Sequence, residues 1–286
     1  MKGRDEMEAV ANVLQGVIKR AEENYVVNEN DYLGDDGLMY CGSCNTQKQY
    51  RGTFGGEELV VPCMCECEAE KYRQEKAELA RLEFELRVQR MREKAFPESN
   101  MQSWNFENDD GSNEQLTIAM KRYVENFTEF RAQGKGLLLW GAVGTGKTYA
   151  ACEIANALIS KGIPVLVTNF TRLLNTIQSS YEKQEYIDSL NLYDLLVIDD
   201  LGIERNTSYA QEQVYNVIDG RYRTGLPMII TTNLTLQNIK HPDNMENIRI
   251  YDRVLERCFP IEVNGDSHRK KSVRESYDAM KDKLGL

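Results

Sequence analysis

The sequence has neither a long apolar run nor an excess of positive charge. Its apolar stretches, such as 195–198 and 227–230, are far shorter than the roughly 20 residues that a membrane helix requires. Lysine and arginine total 35 against 45 acidic residues, so any nucleic-acid contact must come from a local basic patch. The first ten residues lack the apolar region of a signal peptide. We therefore expect a cytoplasmic protein with no membrane contact.

Proline and histidine are also scarce, with 6 and 2 residues in a chain of 286. Hydrophobic residues make up 41% and charged residues 28%, which excludes collagen-like repeats and wholesale disorder. Neither an internal repeat nor a low-complexity tract is present. The length leaves room for one large domain or two modest ones, so we expect a soluble globular protein.

Cysteines are present but unevenly distributed, since five of the seven lie between residues 41 and 67. A C-x-x-C pair followed by a C-x-C pair is typical of tetrahedral Zn²⁺ ligation by thiolates. We predict Cys41, Cys44, Cys63 and Cys65 as zinc ligands, with Cys67 as a competitor for one position. Four thiolates leave no open position, so the predicted zinc is structural. The alternative is a group of unliganded reduced thiols.

Apolar and charge patterning divides the chain into three parts. Residues 7–24 show the spacing of a short amphipathic helix, and residues 66–94 that of a long, mostly solvated helix that Pro97 ends. From residue 116, helical patterns alternate with short apolar strands, which indicates a doubly wound parallel sheet. The predicted helices are 116–132, 147–161, 171–187 and 208–224, and the predicted strands are 136–140, 164–168, 194–199 and 227–232. The predicted parts are 1–70 (N-terminal helix and zinc-binding lobe), 71–115 (helical arm and linker) and 116–286 (an α/β domain).

Residues 141–148, GAVGTGKT, fit the phosphate loop G-x-x-x-x-G-K-[ST] and stand between a predicted strand and a predicted helix. The backbone N–H groups of such a loop surround phosphates, and the helix N-terminus adds positive polarity. We expect Lys147 to neutralise the β and γ phosphates of ATP and Thr148 to bind Mg²⁺. The flanking elements disfavour a chance glycine turn. The predicted ATP-binding residues of the loop are Gly141, Gly144, Thr145, Gly146, Lys147 and Thr148.

Two later strands end in polar residues. Asp199 and Asp200 follow an apolar strand, and we expect Asp199 to bind Mg²⁺ and Asp200 to activate the attacking water. Asn233 follows the next core strand, where it is a candidate to hold that water near the γ-phosphate. A solvated strand end and a turn-starting asparagine are the competing interpretations.

Three arginines of the predicted helix 247–258, Arg249, Arg253 and Arg257, recur at a spacing that places them on one face. Like charges repel, so we expect an anion to meet them, and the nucleotide site of a neighbouring subunit is one candidate. The alternative is a solvated face paired with acidic residues of the same helix. Arg269, in the most basic short run of the chain, is a candidate γ-phosphate contact in its own subunit or part of a solvated run.

Together these motifs resemble the DnaC/DnaI-type replicative helicase loaders, a branch of the AAA+ ATPases that also includes the IstB transposition helpers. The resemblance covers residues 96–269 and rests on FEN at 106–108, the phosphate loop, LLVIDDLG, ITTN, the later YDR and the segment NGDSHR. The cysteine lobe is similar to the zinc-bearing N-terminal domain of many Gram-positive and phage members, and typical IstB proteins lack it.

The resemblance implies an AAA+ fold with ATP, Mg²⁺ and Zn²⁺ as cofactors. It places Arg253 at the arginine-finger position, Arg269 at the sensor 2 position, and Tyr181, Thr207 and Tyr209 at positions that contact single-stranded DNA. Bases stack on tyrosine without a sequence code. The helix around Tyr181 has few cations, so tyrosines that belong to the core are the alternative.

The function implied is that of an ATP-dependent replication protein, a helicase loader that binds ATP and single-stranded DNA. Its implied partners are a hexameric replicative helicase, gripped by the N-terminal lobe, single-stranded DNA and further copies of this chain. The first alternative is an IstB-like transposase-helper ATPase. A second, of another class, is a zinc-containing nucleotide-binding adaptor without significant turnover.

Overall fold

The computed structural model describes residues 25–54, 57–202, 207–242, 244–265, 267–268, 277, 280, 281, 283 and 284. The predicted helix 7–24 and Arg269 lie outside these described residues. The chain divides into two compact units, of which the first ends at Glu83 and the second begins at Phe84. Among the described residues, we find no helix with the length and apolarity needed to cross a membrane.

The first unit contains two small antiparallel sheets and the start of a long helix, with few apolar residues in its interior. Lys48 is only 1% exposed, and its ammonium contacts Asp31 at 2.8 Å and Glu68 at 3.1 Å. A buried charge is tolerated only when it is paired, so this cluster links the loop around Asp31 to the helix. The strands are β1 (Tyr32–Leu33), β2 (Met39–Tyr40), β3 (Gln49–Phe54) and β4 (Glu57–Pro62), paired β1 with β2 and β3 with β4.

The helix α1 (Glu66–Ala95) confirms the predicted long, solvated arm and carries residues of both units. Glu66 and Glu68 lie in its first turn and Arg92 and Lys94 in its last, an arrangement that complements the helix dipole.

The second unit confirms the predicted doubly wound parallel sheet. Its five strands lie in the order β6-β7-β8-β5-β9, with every neighbouring pair parallel. Alternate residues of each strand enter separate hydrophobic clusters on the two faces, as Leu137 and Leu138 illustrate. The strands are β5 (Gly136–Trp140), β6 (Val165–Asn169), β7 (Leu195–Leu201), β8 (Met228–Thr232) and β9 (Cys258–Glu262).

The helices of this unit cover both faces of the sheet. The helices α2 and α4 contribute to one cluster, and α5, α6, α7 and α9 to the other. They are α2 (Glu114–Glu125), α3 (Phe127–Gln133), α4 (Lys147–Ser160), α5 (Phe170–Ser179), α6 (Lys183–Ser189), α7 (Ser208–Thr224), α8 (Leu236–Lys240) and α9 (Met245–Arg257), with short 3-10 helices at Ser99–Ser103 and Leu190–Leu192.

Three features differ from the sequence prediction. The predicted helix 116–132 is two helices, because the chain turns at Asn126, whose side chain donates to the Arg122 carbonyl. The predicted helix 171–187 is also interrupted, since Ser180 has extended backbone angles. The fifth strand, β9, is not among the predicted strands, because it contains Pro260 and proline is disfavoured inside strands.

The segment before α2, which the sequence analysis assigns to the linker 71–115, is packed into the second unit. Phe96 and Met101 are buried in the cluster under α4. The Asn156 side chain of α4 donates to the carbonyls of Met101 at 3.0 Å and Trp104 at 2.9 Å. These bonds hold the 3-10 helix and the residues after it against α4.

Candidate functional site

The candidate site lies where β5, β7 and β8 end, at neighbouring positions in the sheet. Ligands of open α/β sheets bind at the carboxyl ends of the strands. The loop after β5 is residues 141–146, β7 carries Asp199 and Asp200 near its end, and Asn233 directly follows β8. The sheet thus brings together the three motifs that lie far apart in the sequence.

Three glycines of the phosphate loop, Gly141, Gly144 and Gly146, have backbone angles that side chains disfavour. Gly144 has φ 86°, and a Cβ there would come within 2.2 Å of the Ser267 hydroxyl oxygen. Gly146 has φ 95° and stands directly before α4. The loop therefore bends onto the N-terminus of α4, where backbone N–H groups favour an anion.

Lys147, the first residue of α4, is only 5% exposed. Its ammonium donates to the carbonyls of Gly141 at 3.0 Å and Ala142 at 2.7 Å, and to the Asn233 amide oxygen at 2.8 Å. The lysine predicted to bind phosphate and the asparagine predicted to hold the attacking water are therefore in direct contact. Phosphate oxygens would compete with these oxygens for the ammonium.

Asp199 is held by two hydroxyl groups. Thr148 donates to its Oδ1 atom at 2.8 Å and Thr231 donates to the same atom at 2.5 Å. Burial raises the pKa of Asp199, and the two hydroxyl groups oppose that shift. A hydroxyl and a carboxylate are oxygen ligands of the kind Mg²⁺ takes, so Thr148 and Asp199 fit the predicted metal pair.

Asp200 faces the same site because β7 is irregular at this point. The pairing of β7 with β8 shifts between Ile198 and Leu201, and Asp200 has φ 60° in the left-handed region. Successive side chains of a regular strand point to opposite faces, and this bulge breaks that alternation. The Thr231 hydroxyl accepts from the Asp200 N–H at 3.0 Å, and the Asp200 carboxylate lies 3.5 Å from the Asn233 amide nitrogen.

The loop, Asp200 and Asn233 line one cavity of about 550 Å³. His268 closes one side of the cavity, where its backbone N–H donates to the Gly144 carbonyl at 3.0 Å. The loop contributes Val143, Gly144, Thr145 and Gly146 to the lining. The other lining residues come from the segment before α2, from α2 itself and from α4: Trp104, Asn108, Asp109, Asp110, Ser112, Asn113, Leu116, Thr117, Lys147, Thr148, Tyr149, Ala150 and Glu153.

Glu153 is the one acidic residue of α4, and it is 2% exposed. Its Oε1 atom makes no hydrogen bond within the described part of the chain. Burial raises the pKa of Glu153 to about 8, with Asp109 acting in the same direction and Lys121 against it. The side chain is therefore mostly neutral near pH 7.

The structure does not place Arg253 in this cavity. Its guanidinium donates to Asp219 at 2.8 Å and to the Tyr215 hydroxyl at 2.9 Å, and it lies over the rings of Tyr215 and Tyr222. Within this chain, the anion that Arg253 binds is thus Asp219 of α7. The predicted alternative was pairing with acidic residues of its own helix, and Asp219 lies on a different one. Asp219 also binds Arg223 at 2.7 Å.

Two of the three predicted DNA-contact residues lie at one side of the second unit. Tyr181, between α5 and α6, is fully exposed. The Tyr209 ring is partly exposed, and the Lys183 ammonium lies 5.3 Å from its centroid. Thr207 caps α7, since its hydroxyl accepts from the Ala210 N–H at 3.2 Å.

The first unit gathers four cysteines, and these differ from the predicted set. The sulfurs of Cys41, Cys44, Cys65 and Cys67 all lie within 4.8 Å of one another. Cys67 replaces Cys63 in this group, because Cys65 and Cys67 flank the start of α1, whereas the Cys63 sulfur lies 3.6 Å from the Gln47 carbonyl. The thiol pKa of Cys44 is lowered to about 6, mainly by the Thr46 hydroxyl.

Sequence reasoning missed three residues of these sites. Thr231 lies in the predicted strand, and its hydroxyl links Asp199 to Asp200. Asp219 could not be paired with Arg253 by spacing, because the two residues lie on different helices. Glu153 did carry a signal, since it is the one acid between Lys147 and Ser160.

These elements define the second unit as a P-loop domain of the AAA+ type, with a phosphate loop after β5, an acidic pair at the end of β7 and an asparagine after β8. The family model described as IstB-like ATP binding protein matches residues 72–276. This match covers more than half of the chain, which therefore belongs to that family.

Curated relatives agree with this assignment. The chain is 27% identical over 168 residues to the replicative helicase loader DnaI of Bacillus subtilis, covering 53% of this chain and 54% of the relative. It is 26% identical over 163 residues to the replicative helicase loader DnaC of Escherichia coli K12, covering 55% of this chain and 64% of the relative. A putative insertion sequence ATP-binding protein of Sinorhizobium fredii is 30% identical over 150 residues, covering 51% and 50%. The chain thus spans between half and two thirds of these relatives.

Solved structures share the fold of the second unit. A crystal structure of DnaI matches with 25% identity and a TM-score of 0.50, covering 59% of this chain and 96% of that one. A putative primosome component from Streptococcus pyogenes matches with 20% identity and a TM-score of 0.51, covering 62% and 97%, which supports the fold alone.

We expect Lys147→Ala to weaken Mg-ATP binding by about 10-fold or more, because a charged hydrogen-bond donor is worth about 1.5–3 kcal/mol. Isothermal titration calorimetry measures this change. The matched control is Lys94→Ala, which removes an exposed lysine of α1. Equal affinities of the wild type and Lys147→Ala would contradict the assignment of the phosphate site.

Proposed function

We propose that this protein is an ATPase that loads a hexameric replicative helicase onto single-stranded DNA. The observation that carries the proposal is the convergence of Lys147, Asp200 and Asn233 on one cavity, whose lining residue Thr148 binds Asp199. The relatives of this chain include the loaders DnaI and DnaC. A cytoplasmic site of action follows from these proposed partners.

The contacts of the site support ATP hydrolysis. Mg²⁺, when bound, would neutralise charge on the phosphate oxygens, and Thr148 and Asp199 would hold it. Lys147 would bind the β and γ phosphates. The Asp200 carboxylate would accept a proton from the attacking water, which the neighbouring Asn233 amide would orient.

We assign Arg253 to the nucleotide site of a neighbouring copy of the chain. It does not line the cavity of its own subunit, although about a quarter of its side chain is exposed. To reach a neighbour it must leave Asp219 and Tyr215. Hydrolysis is therefore expected to be weak until subunits assemble, and Arg269 is proposed to contact the γ-phosphate in its own subunit.

A mixture of Arg253→Ala and Lys147→Ala is expected to regain part of the ATPase rate that each variant lacks alone. In the mixed assembly, an intact Lys147 site can meet an intact Arg253 from the next chain. The measurement is phosphate release across mixing ratios, with co-assembly checked by size-exclusion chromatography. If co-assembled variants show no recovery, Arg253 acts within its own chain or only structurally.

The first unit is proposed to hold structural Zn²⁺. In a tetrahedral site with Zn–S bonds of about 2.3 Å, sulfurs lie about 3.8 Å apart. The Cys67 sulfur lies 3.6 Å from that of Cys41 and 3.3 Å from that of Cys65, so the group needs little rearrangement. Cys44 completes the set. Zinc would supply folding energy to a lobe with a small apolar core.

The fifth cysteine provides a matched test of this site. Cys67→Ser is expected to lose Zn²⁺ to a competing chelator and to lower the thermal stability of the lobe. Cys63→Ser is expected to keep about one equivalent of zinc. Elemental analysis of the full chain measures both. Retention in Cys67→Ser together with loss in Cys63→Ser would contradict the ligand set.

The loader activity itself can be tested with a helicase from the same source. The first unit is proposed to grip the helicase, and its exposed apolar residues, including Leu33, Tyr50 and Val60, suit a protein partner. Tyr181 and Tyr209 are proposed to stack on DNA bases, with Thr207 adjacent.

In a pull-down on immobilised single-stranded DNA, the wild type with ATP is expected to retain the helicase. Tyr181→Ala combined with Tyr209→Ala should still bind the helicase, but should weaken DNA binding by about 5-fold or more, because each stacked base contributes about 1–3 kcal/mol. Tyr72→Ala, an exposed tyrosine on α1, is the control. Unchanged DNA affinity at fixed salt would contradict the DNA-contact assignment.

The second candidate function is that of a transposase helper. It is favoured by the 30% identity to the insertion sequence ATP-binding protein. The same pull-down separates the two, since a helper would bind a transposase and leave the helicase unbound.

A further inference from the structure

The nucleotide cavity has two chemically different ends. The phosphate loop and Lys147 form one end. Glu153 lies six positions further along α4, a rise of about 9 Å, and lines the same cavity. A nucleotide with its phosphates at Lys147 would therefore place its base towards Glu153.

The walls near Glu153 suit a planar base. The Trp104 ring stacks on the Tyr149 ring, with centroids 5.7 Å apart, and Leu116 and Val143 line the same cavity. Ligand pockets typically combine such apolar walls with a few polar groups that fix orientation. Glu153 is a group of this kind, since its buried Oε1 atom makes no hydrogen bond in the described structure.

We propose that Glu153 selects the base of the bound nucleotide by hydrogen bonding to the edge of adenine that carries the 6-amino group. This inference rests on the proposed ATP site and adds a specificity-determining residue to it. A buried carboxyl oxygen without a partner is costly, and such a base would supply one.

The protonation state decides which base fits. A neutral carboxyl has one donor and one acceptor, which match N7 and the 6-amino group on the N7 edge of adenine. On that edge guanine presents two acceptors, N7 and the oxygen at position 6, so the carbonyl oxygen of a neutral carboxyl finds no donor there. The raised pKa of Glu153 keeps it in the form that suits adenine.

The selection is expected to depend on pH. Asp109 faces Glu153 from the segment before α2 and Lys121 faces it from α2, while Tyr149 and Cys152 lie near it on α4. Asp109 favours the neutral form and Lys121 the ionised form. As the pH rises through about 8, Glu153 loses its proton, and the donor to adenine is lost with it.

The experiment measures Mg-ATP and Mg-GTP binding by calorimetry on the full chain, at about pH 6.5 and about pH 9.5. The wild type is expected to prefer ATP by about 10-fold or more at the lower pH, and by less at the higher pH. Glu153→Gln should keep the preference at both values, because its amide matches the neutral acid and does not titrate. Glu153→Leu should abolish it at both, and the exposed Glu107→Leu is the control.

Two results would overturn the inference. The first is binding that depends on Lys147 but has the same ATP preference in Glu153→Leu as in the wild type, which removes the role of Glu153 and leaves the nucleotide site intact. The second is a wild-type preference for GTP that Glu153→Gln reverses, which would mean an ionised carboxylate that reads guanine. Failure of both nucleotides to bind in a Lys147-dependent way would instead contradict the proposed function.

Discussion

The site depends on the buried ammonium of Lys147, which must be surrounded by oxygen atoms because a buried charge without partners is costly. The carbonyls of Gly141 and Ala142 supply two of these oxygens, and Asn233 supplies a third from a different strand. The lysine thereby ties the loop after β5 to the end of β8. The same contacts hold it at the position where phosphate oxygens would bind.

The hydroxyl group of Thr231 connects the two acidic residues of the site, Asp199 and Asp200. Thr231 donates to Asp199 and accepts from the Asp200 backbone, so it fixes both the metal-binding candidate and the bulge that turns Asp200 into the cavity. Glu153, at the other end of the cavity, has no comparable support in the described structure. The phosphate end of the cavity is thus held in place before a nucleotide binds. The end at Glu153 instead leaves a buried oxygen with which the ligand can form a hydrogen bond.

Features encoded by contiguous residues could be predicted from the sequence, and features that depend on tertiary contacts could not. The phosphate loop, the apolar strand before Asp199 and the long helix α1 follow from local spacing. Spacing could not show that Cys67 joins Cys65 at the start of α1 while Cys63 faces Gln47, since that depends on how the chain enters the helix. Nor could it pair Arg253 with Asp219 across two helices, or show that β9 adds to the sheet edge despite Pro260.

The measurement that tests the central claim most directly is a crystal structure of the full chain with Mg²⁺ and a non-hydrolysable ATP analogue. The account predicts that the Lys147 ammonium leaves the Gly141 and Ala142 carbonyls for the phosphates, that the metal lies between Thr148 and Asp199, and that the base lies beside Glu153. A nucleotide bound elsewhere, or an ammonium that stays on its carbonyl partners while the cavity is filled, would contradict it.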